Sequence, residues 1–201
     1  MGDDLPLHHI VNHGLYGMKR KTIEEICQFR TERLSVCAWS RFYADKESKD
    51  HFHKQIIRIL TPEVTKALPD GWQHIKRSSD AEKCVKDRAD ECHFIVVQEN
   101  STGEIVGFIF LYEMGLQGVA HELRFGYLLS ESVWGKGLGT ELIKGLIDWC
   151  QTERNIASLS GGVERDNIGS IKVLEKNGFA LSKNEDQTGE VLFYEYAFMM
   201  K

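Results

Sequence analysis

Val133-Trp134-Gly135-Lys136-Gly137-Leu138-Gly139-Thr140 stands between a strand pattern, Glu122 to Leu129, and a helix pattern that begins at Leu138. Glycines at alternate positions leave the backbone almost bare where the helix starts. The first N–H groups of a helix have no partner inside it, and the helix start carries partial positive charge. A turn of this kind binds phosphate.

Three fingerprints fail to describe it. A nucleotide P-loop needs a hydroxyl residue after its Gly-Lys, and here Gly137 follows Gly135-Lys136. A dinucleotide turn needs Gly-x-Gly-x-x-Gly, and here Thr140 stands where the last glycine belongs. His121-Glu122 resembles the start of a zinc-hydrolase helix, but Phe125 takes the place of the second histidine.

Outward from the turn, Leu138, Leu142, Leu146 and Trp149 form one helical stripe, widened by Ile143, Ile147 and Cys150. A strand near 157–163 follows, then a helix from about 168 to 177 with Asn167 as its N-cap and Gly178 as its stop. Residues 191–198 read as the last strand. On the N-terminal side, 93–97 and 105–112 are apolar runs joined by Asn100-Ser101-Thr102-Gly103, a hairpin signal. Ser78 to about Ala89 reads as a helix, residues 41–68 as helical with a fresh start at Pro62, and Leu34 to Trp39 as a strand. A short helix is expected over Thr22 to Phe29. With no internal repeat or linker, one α/β domain is the economical architecture.

The length, 201 residues, suffices for one core, and 42% apolar with 27% charged residues is ordinary for a globular chain. A net charge of −5 argues against nucleic-acid binding driven by phosphate neutralisation. No run approaches the roughly 18 apolar residues of a membrane span, and the acidic Met1-Gly2-Asp3-Asp4 start is unlike a signal peptide. Cys27, Cys37, Cys84, Cys92 and Cys150 are scattered, which suggests reduced, packed thiols and a cytoplasmic protein. His8, His9 and His13 have no carboxylate or cysteine at ligand spacing, so no metal site is expected and residues 1–30 read as an extension.

The turn gains meaning from a second cluster, Asn167-Ile168-Gly169-Ser170 through Lys176-Asn177-Gly178-Phe179. Together the two resemble the GCN5-related N-acetyltransferase (GNAT) superfamily. Its turn, Gln/Arg-x-x-Gly-x-Gly/Ala, matches Trp134 to Gly139 except at the first position. Its later helix, Asn-x-x-Ser/Ala ending Lys-x-Gly-Phe, matches Asn167, Ser170, Lys176, Gly178 and Phe179. Trp-Gly-Lys-Gly, Thr31-Glu32-Arg33-Leu34 and Phe125-Gly126-Tyr127 look most like the ribosomal-protein (RimJ/RimL-type) branch. The resemblance covers about residues 31–200, which makes 31–201 the expected domain.

The resemblance implies a mixed, mostly antiparallel sheet flanked by helices and splayed open between the strand ending near Leu129 and the strand near 157–163. It implies acetyl-CoA and an amine acceptor, a peptide N-terminus or a small molecule, with no metal, and leaves monomer and homodimer open. Pantetheine would pair with the backbone near Tyr127 and Leu129. The pyrophosphate would rest on Gly135, Lys136, Gly137, Leu138, Gly139 and Thr140, with Asn167 contacting pantetheine or capping its helix. A strand amide near Tyr127 would hold the oxyanion. Glu122 is the candidate base, with Glu164 and Glu190 as rivals; it would equally pair with Arg124, which stands where relatives carry a glutamate. Leu174 stands where many relatives place a tyrosine, leaving Ser170 to bond the sulfur. Trp134 departs from Gln/Arg, and Lys136 either compensates or is merely solvated. Trp39, Tyr43, Trp72 and His74 either wall the acceptor side or belong to the core. Two functions follow: an N-acetyltransferase, or an acyl-CoA-binding module with little turnover.

Overall fold

The computed structural model describes residues 22–66, 68, 70–114, 121–153, 156–183, 185 and 187–199. His8, His9 and His13, and most of the expected N-terminal extension, lie outside the described residues. The strands are β1 (Phe29–Arg30), β2 (Leu34–Ala38), β3 (His93–Glu99), β4 (Ile105–Met114), β5 (His121–Leu129), β6 (Ile156–Glu164), β7 (Ala180–Leu181) and β8 (Val191–Ala197). They form one sheet in the order β1-β2-β3-β4-β5-β6-β8-β7. Its pairings are antiparallel except β5 with β6. The expected mixed, mostly antiparallel sheet is therefore present.

Alternation along the strands sends apolar side chains to both faces, and each face is covered. On one face Leu123, Phe125 and Leu129 pack with Leu142 and Leu146 of α5 (Leu138–Thr152), Leu174 of α6 (Ile168–Lys176), and Ile23 of α1 (Ile23–Ile26). On the other, Phe94, Phe108, Phe110 and Leu128 pack with Phe52 and Ile56 of α2 (Lys46–Ile59) and Val85 of α4 (Ser78–Glu91).

The region read as helical, 41–68, keeps the expected fresh start at Pro62, but its first helix begins later than expected. A 3-10 turn, Trp39–Tyr43, precedes α2, and α3 (Pro62–Thr65) follows it. Local chemistry sets the breaks: the Asp45 carboxylate accepts the Ser48 N–H at 2.8 Å, and Thr61 caps α3 with Pro62 behind it. The N-terminal helix is also shorter than expected. A capping box between Thr22 and Glu25 starts α1, and the chain then turns into β1, which pairs Phe29 with Val36. Ile23 and Cys27 are buried in the main core. Packing against the main core thus reaches back past residue 31 to Ile23.

His53 illustrates how the second core accommodates a polar group. It is 1% exposed, with its ring nitrogens 2.7 Å from the Tyr43 hydroxyl and 2.8 Å from Ser78 Oγ. A neutral imidazole suits both contacts, one nitrogen donating and one accepting. Burial, with the nearby Lys49 charge, holds its pKa below the usual 6.5. Below pH 6.5 the unfolded chain takes up a proton that the folded chain resists, so the stabilisation present above that pH is lost as pH falls. The thermal midpoint should decline from pH 7 to pH 5.5, and His53→Gln should flatten that decline.

Candidate active site

The pairing of β5 with β6 begins at His121 and ends at Arg124–Ser160. β5 continues to Leu129 along β4, and β6 continues to Glu164 along β8. The two strands therefore part after Arg124. The Ser130 N–H donates to Val106 O on the β4 side. By alternation, the backbone groups of Tyr127 and Leu129 face the gap. The Leu129 carbonyl accepts the Trp134 indole N–H at 2.7 Å, so the Tyr127 backbone is the more open of the two.

Gly135 and Gly137 adopt φ of 71° and 78°, which favours glycine. Gly139 serves a different purpose. A Cβ there would stand 3.3 Å from Val173 and 3.9 Å from the Tyr127 ring, so the missing side chain lets α5 approach α6 and β5. Gly137 is the N-cap of α5, and no side chain caps that helix. Its first amides are left to an external acceptor. Leu138 is 2% exposed, with its side chain in the core. The Thr140 carbonyl accepts from Asn177, the C-cap of α6, and the Lys136 side chain is exposed.

The turn is tied down from a distance. Arg33 donates to the Lys136 carbonyl at 2.9 Å and to Glu141 at 2.6 Å, and Glu141 also accepts from the Thr31 hydroxyl and the Arg33 amide. Burial works against the Glu141 charge, but these bonds outweigh it and hold its carboxyl below its usual pKa. Glu141→Ala should lower stability by about 1–2 kcal/mol, the Arg33 contribution being discounted for exposure. Urea unfolding would measure it, with a several-fold loss of affinity for anions at the turn.

A cleft of about 690 Å³ occupies the gap. Phe125, Gly126, Tyr127 and Leu128 line it from β5, Gly161 to Glu164 from β6, and Asn167, Ser170 and Leu174 from around α6. Trp72, Asp87, Arg88 and Glu91 close another side. The Asn167 side chain accepts the Ser170 N–H at 3.0 Å, which makes it the helix cap. The Tyr127 hydroxyl donates to Ser170 Oγ at 3.3 Å.

The carboxylates separate clearly. Glu122 is exposed, on the part of β5 still paired with β6, and is not among the cleft-lining residues. It does not engage Arg124, whose guanidinium pairs with Glu185 and lies over the Phe193 ring at 5.3 Å. Glu190 is exposed and also outside the cleft. Glu164 lines the cleft and is half-buried. Of Trp39, Tyr43, Trp72 and His74, Trp72 lines the cleft; Trp39 and Tyr43 pack edge to face at 4.9 Å on the second core, and His74 is exposed.

Arg88 was not legible in the sequence. It is 7% exposed, stacks over Trp72 at 4.8 Å and pairs with Glu91 at 2.7 Å. Nothing in the 78–91 helix pattern distinguishes it from its charged neighbours. Gly161-Gly162 carried a signal, because paired glycines inside a strand mark a close approach. A Cβ on Gly161 would stand 3.2 Å from the Phe125 carbonyl.

Residues 33–180 match the family model described as an acetyltransferase (GNAT) domain. The chain belongs to the GNAT family. The curated relatives of this GNAT chain include the probable N-acetyltransferase YjcK of Bacillus subtilis, 32% identical over 93 residues, 46% of this chain and 50% of YjcK. The chain thus spans about half the length of that relative. A GNAT-family acetyltransferase structure from Bacillus anthracis superposes with a TM-score of 0.62 at 16% identity, covering 85% of this chain and 98% of that one. RimL, a ribosomal L7/L12 α-N-protein acetyltransferase solved with coenzyme A, gives 0.60 at 18% identity, covering 83% and 95%. Among the described residues no cluster of three or more His, Cys, Asp or Glu could hold a metal ion. No described helix is long and apolar enough to cross a membrane.

Proposed function

We propose that this GNAT domain transfers the acetyl group of acetyl-CoA directly to a primary amine, a protein N-terminal α-amino group in the first instance. The observation that carries the reading is the uncapped start of α5, whose Gly139 stands against Tyr127 of the cleft where β5 and β6 part. The uncapped amides and the bare Gly135 and Gly137 suit a pyrophosphate without a metal, as the family's chemistry requires. The Tyr127 amide is the open strand donor for the thioester oxyanion. Glu164 replaces Glu122 as the group assigned to take the amine proton, because it lines the cleft. Ser170 is the hydroxyl on the sulfur side. The α-N-protein acetyltransferase among the structural neighbours favours a peptide N-terminus and the RimJ/RimL-type branch.

A second reading, acyl-CoA binding with little turnover, has support in Leu174, which places a buried apolar group where relatives carry a tyrosine. Calorimetry with acetyl-CoA, CoA and ATP tests the ligand; binding of ATP without acetyl-CoA would sink both readings. Free-thiol release with peptide N-termini, polyamines and aminoglycosides then separates them. A peptide-dependent rate supports transfer, and no release above background supports the binding module.

A further inference from the structure

The tyrosine missing from α6 has a counterpart on the opposite wall of the cleft. Tyr127 projects from β5 beneath the start of α5 and across to α6, where its hydroxyl meets Ser170. We propose that the Tyr127 phenol is a positioning residue: by donating to Ser170 Oγ, it directs the Ser170 proton into the cleft, toward the leaving sulfur. The inference rests on the acetyl-CoA reading and assigns to a side chain of β5 a task that α6 alone cannot perform.

The geometry and the chemistry of the pair support it. Among the described residues, Tyr127 is the one hydrogen-bond partner of the Ser170 hydroxyl, so no backbone carbonyl of α6 holds its proton. Both residues line the cleft. The phenol is the more acidic of the two hydroxyls and therefore the better donor in the pair. Burial raises its pKa further, although the bond to Ser170 works the other way, so the phenol stays protonated at neutral pH. The 3.3 Å separation is long for a hydroxyl pair, as catalytic hydrogen bonds commonly are before substrate binds.

The chemistry balances without a further reagent. The amine nitrogen bonds to the acetyl carbon, and the C–S bond breaks with its electron pair on sulfur. Ser170 stabilises that thiolate by a hydrogen bond and keeps its own proton. The proton lost by the amine balances the one the thiolate finally takes, through Glu164 and solvent. Tyr127 changes neither charge nor bonding. Its contribution is that Ser170 need not reorient when charge appears on sulfur.

The test needs no acceptor. CoA and desulfo-CoA are titrated calorimetrically between pH 7 and pH 9 into the wild type, Tyr127→Phe, Ser170→Ala and the double variant. Desulfo-CoA reports whether each variant keeps an intact cradle, and it cancels other titrating groups. In the wild type the preference for CoA should grow as the thiol ionises. At pH 9 that preference should fall about tenfold in Tyr127→Phe, consistent with a hydrogen bond to a charged group. It should fall at least as far in Ser170→Ala, and no further in the double variant. An unchanged pH dependence in Tyr127→Phe overturns the proposal, as does an additional loss from Tyr127→Phe in the Ser170→Ala background. If the wild type binds neither ligand, the acetyl-CoA reading itself fails, and this inference with it.

Discussion

Gly137→Val should raise the dissociation constant for acetyl-CoA at least about a hundredfold while the protein remains folded. Gly137 holds φ of 78° at the N-cap of α5. A β-branched residue there is strained by about 1–3 kcal/mol, and the turn relieves that strain by leaving the left-handed region. Its new side chain would also grow toward Arg33, whose Nη2 stands 3.7 Å from the position of a Cβ. Both effects turn the first amides of α5 away from a common point. Hydrogen bonds to a charged group contribute about 1.5–3 kcal/mol each, so losing two exceeds a hundredfold. Gly135→Ala provides the graded control. It has φ of 71° but open space around its Cβ, so it introduces strain without a clash and should cost roughly tenfold. Calorimetry measures both, and circular dichroism establishes that α5 persists. Unchanged affinity in a folded Gly137→Val protein would remove the phosphate cradle from the account.

The second large effect is expected at Glu164. With a peptide acceptor, Glu164→Gln should lower kcat by about 10²–10⁴, the usual contribution of a positioned base. KM for acetyl-CoA should stay within about threefold, because Glu164 ends β6 and is not part of the α5 turn. Glutamine keeps the size and one acceptor oxygen, so packing at the end of β6 is preserved. Glu122→Gln should leave kcat within about twofold, since Glu122 is exposed and outside the cleft. Steady-state kinetics on the pair decides between the two carboxylates, and the reverse ranking would restore Glu122 as the base.

Local patterns carried the elements well where one physical rule governs them. The stripe from Leu138 to Cys150 became α5, and the Asn167 cap became the start of α6. They failed where competing local contacts decide. Asp45 delays to Lys46 a helix that apolar spacing alone starts near residue 41, whereas the break at Pro62 was legible. β1 and β7, at two residues each, have no pattern to read and exist because a neighbouring strand edge accepts them.

The candidate site divides in the same way. Gly135, Gly137 and Asn167 declare themselves because backbone geometry and capping are short-range requirements, met by few residue types. Trp134 shows the limit. Its departure from the family pattern was visible, but its bond to the Leu129 carbonyl, which narrows the open backbone to Tyr127, depends on how the turn folds back.

By itself the sequence determined the fold class, the glycine turn that opens α5 and the family, since these rest on contacts within a few residues and on motifs in order. Only the tertiary structure decided which side chains share the cleft. It set Glu122 outside and Glu164 inside, brought Arg88 to Trp72, and carried Tyr127 across the gap to Ser170. The first and last of these follow from where β5 and β6 part. That point depends on long-range pairing and on close approaches such as Gly161 to Phe125, which residue spacing does not encode.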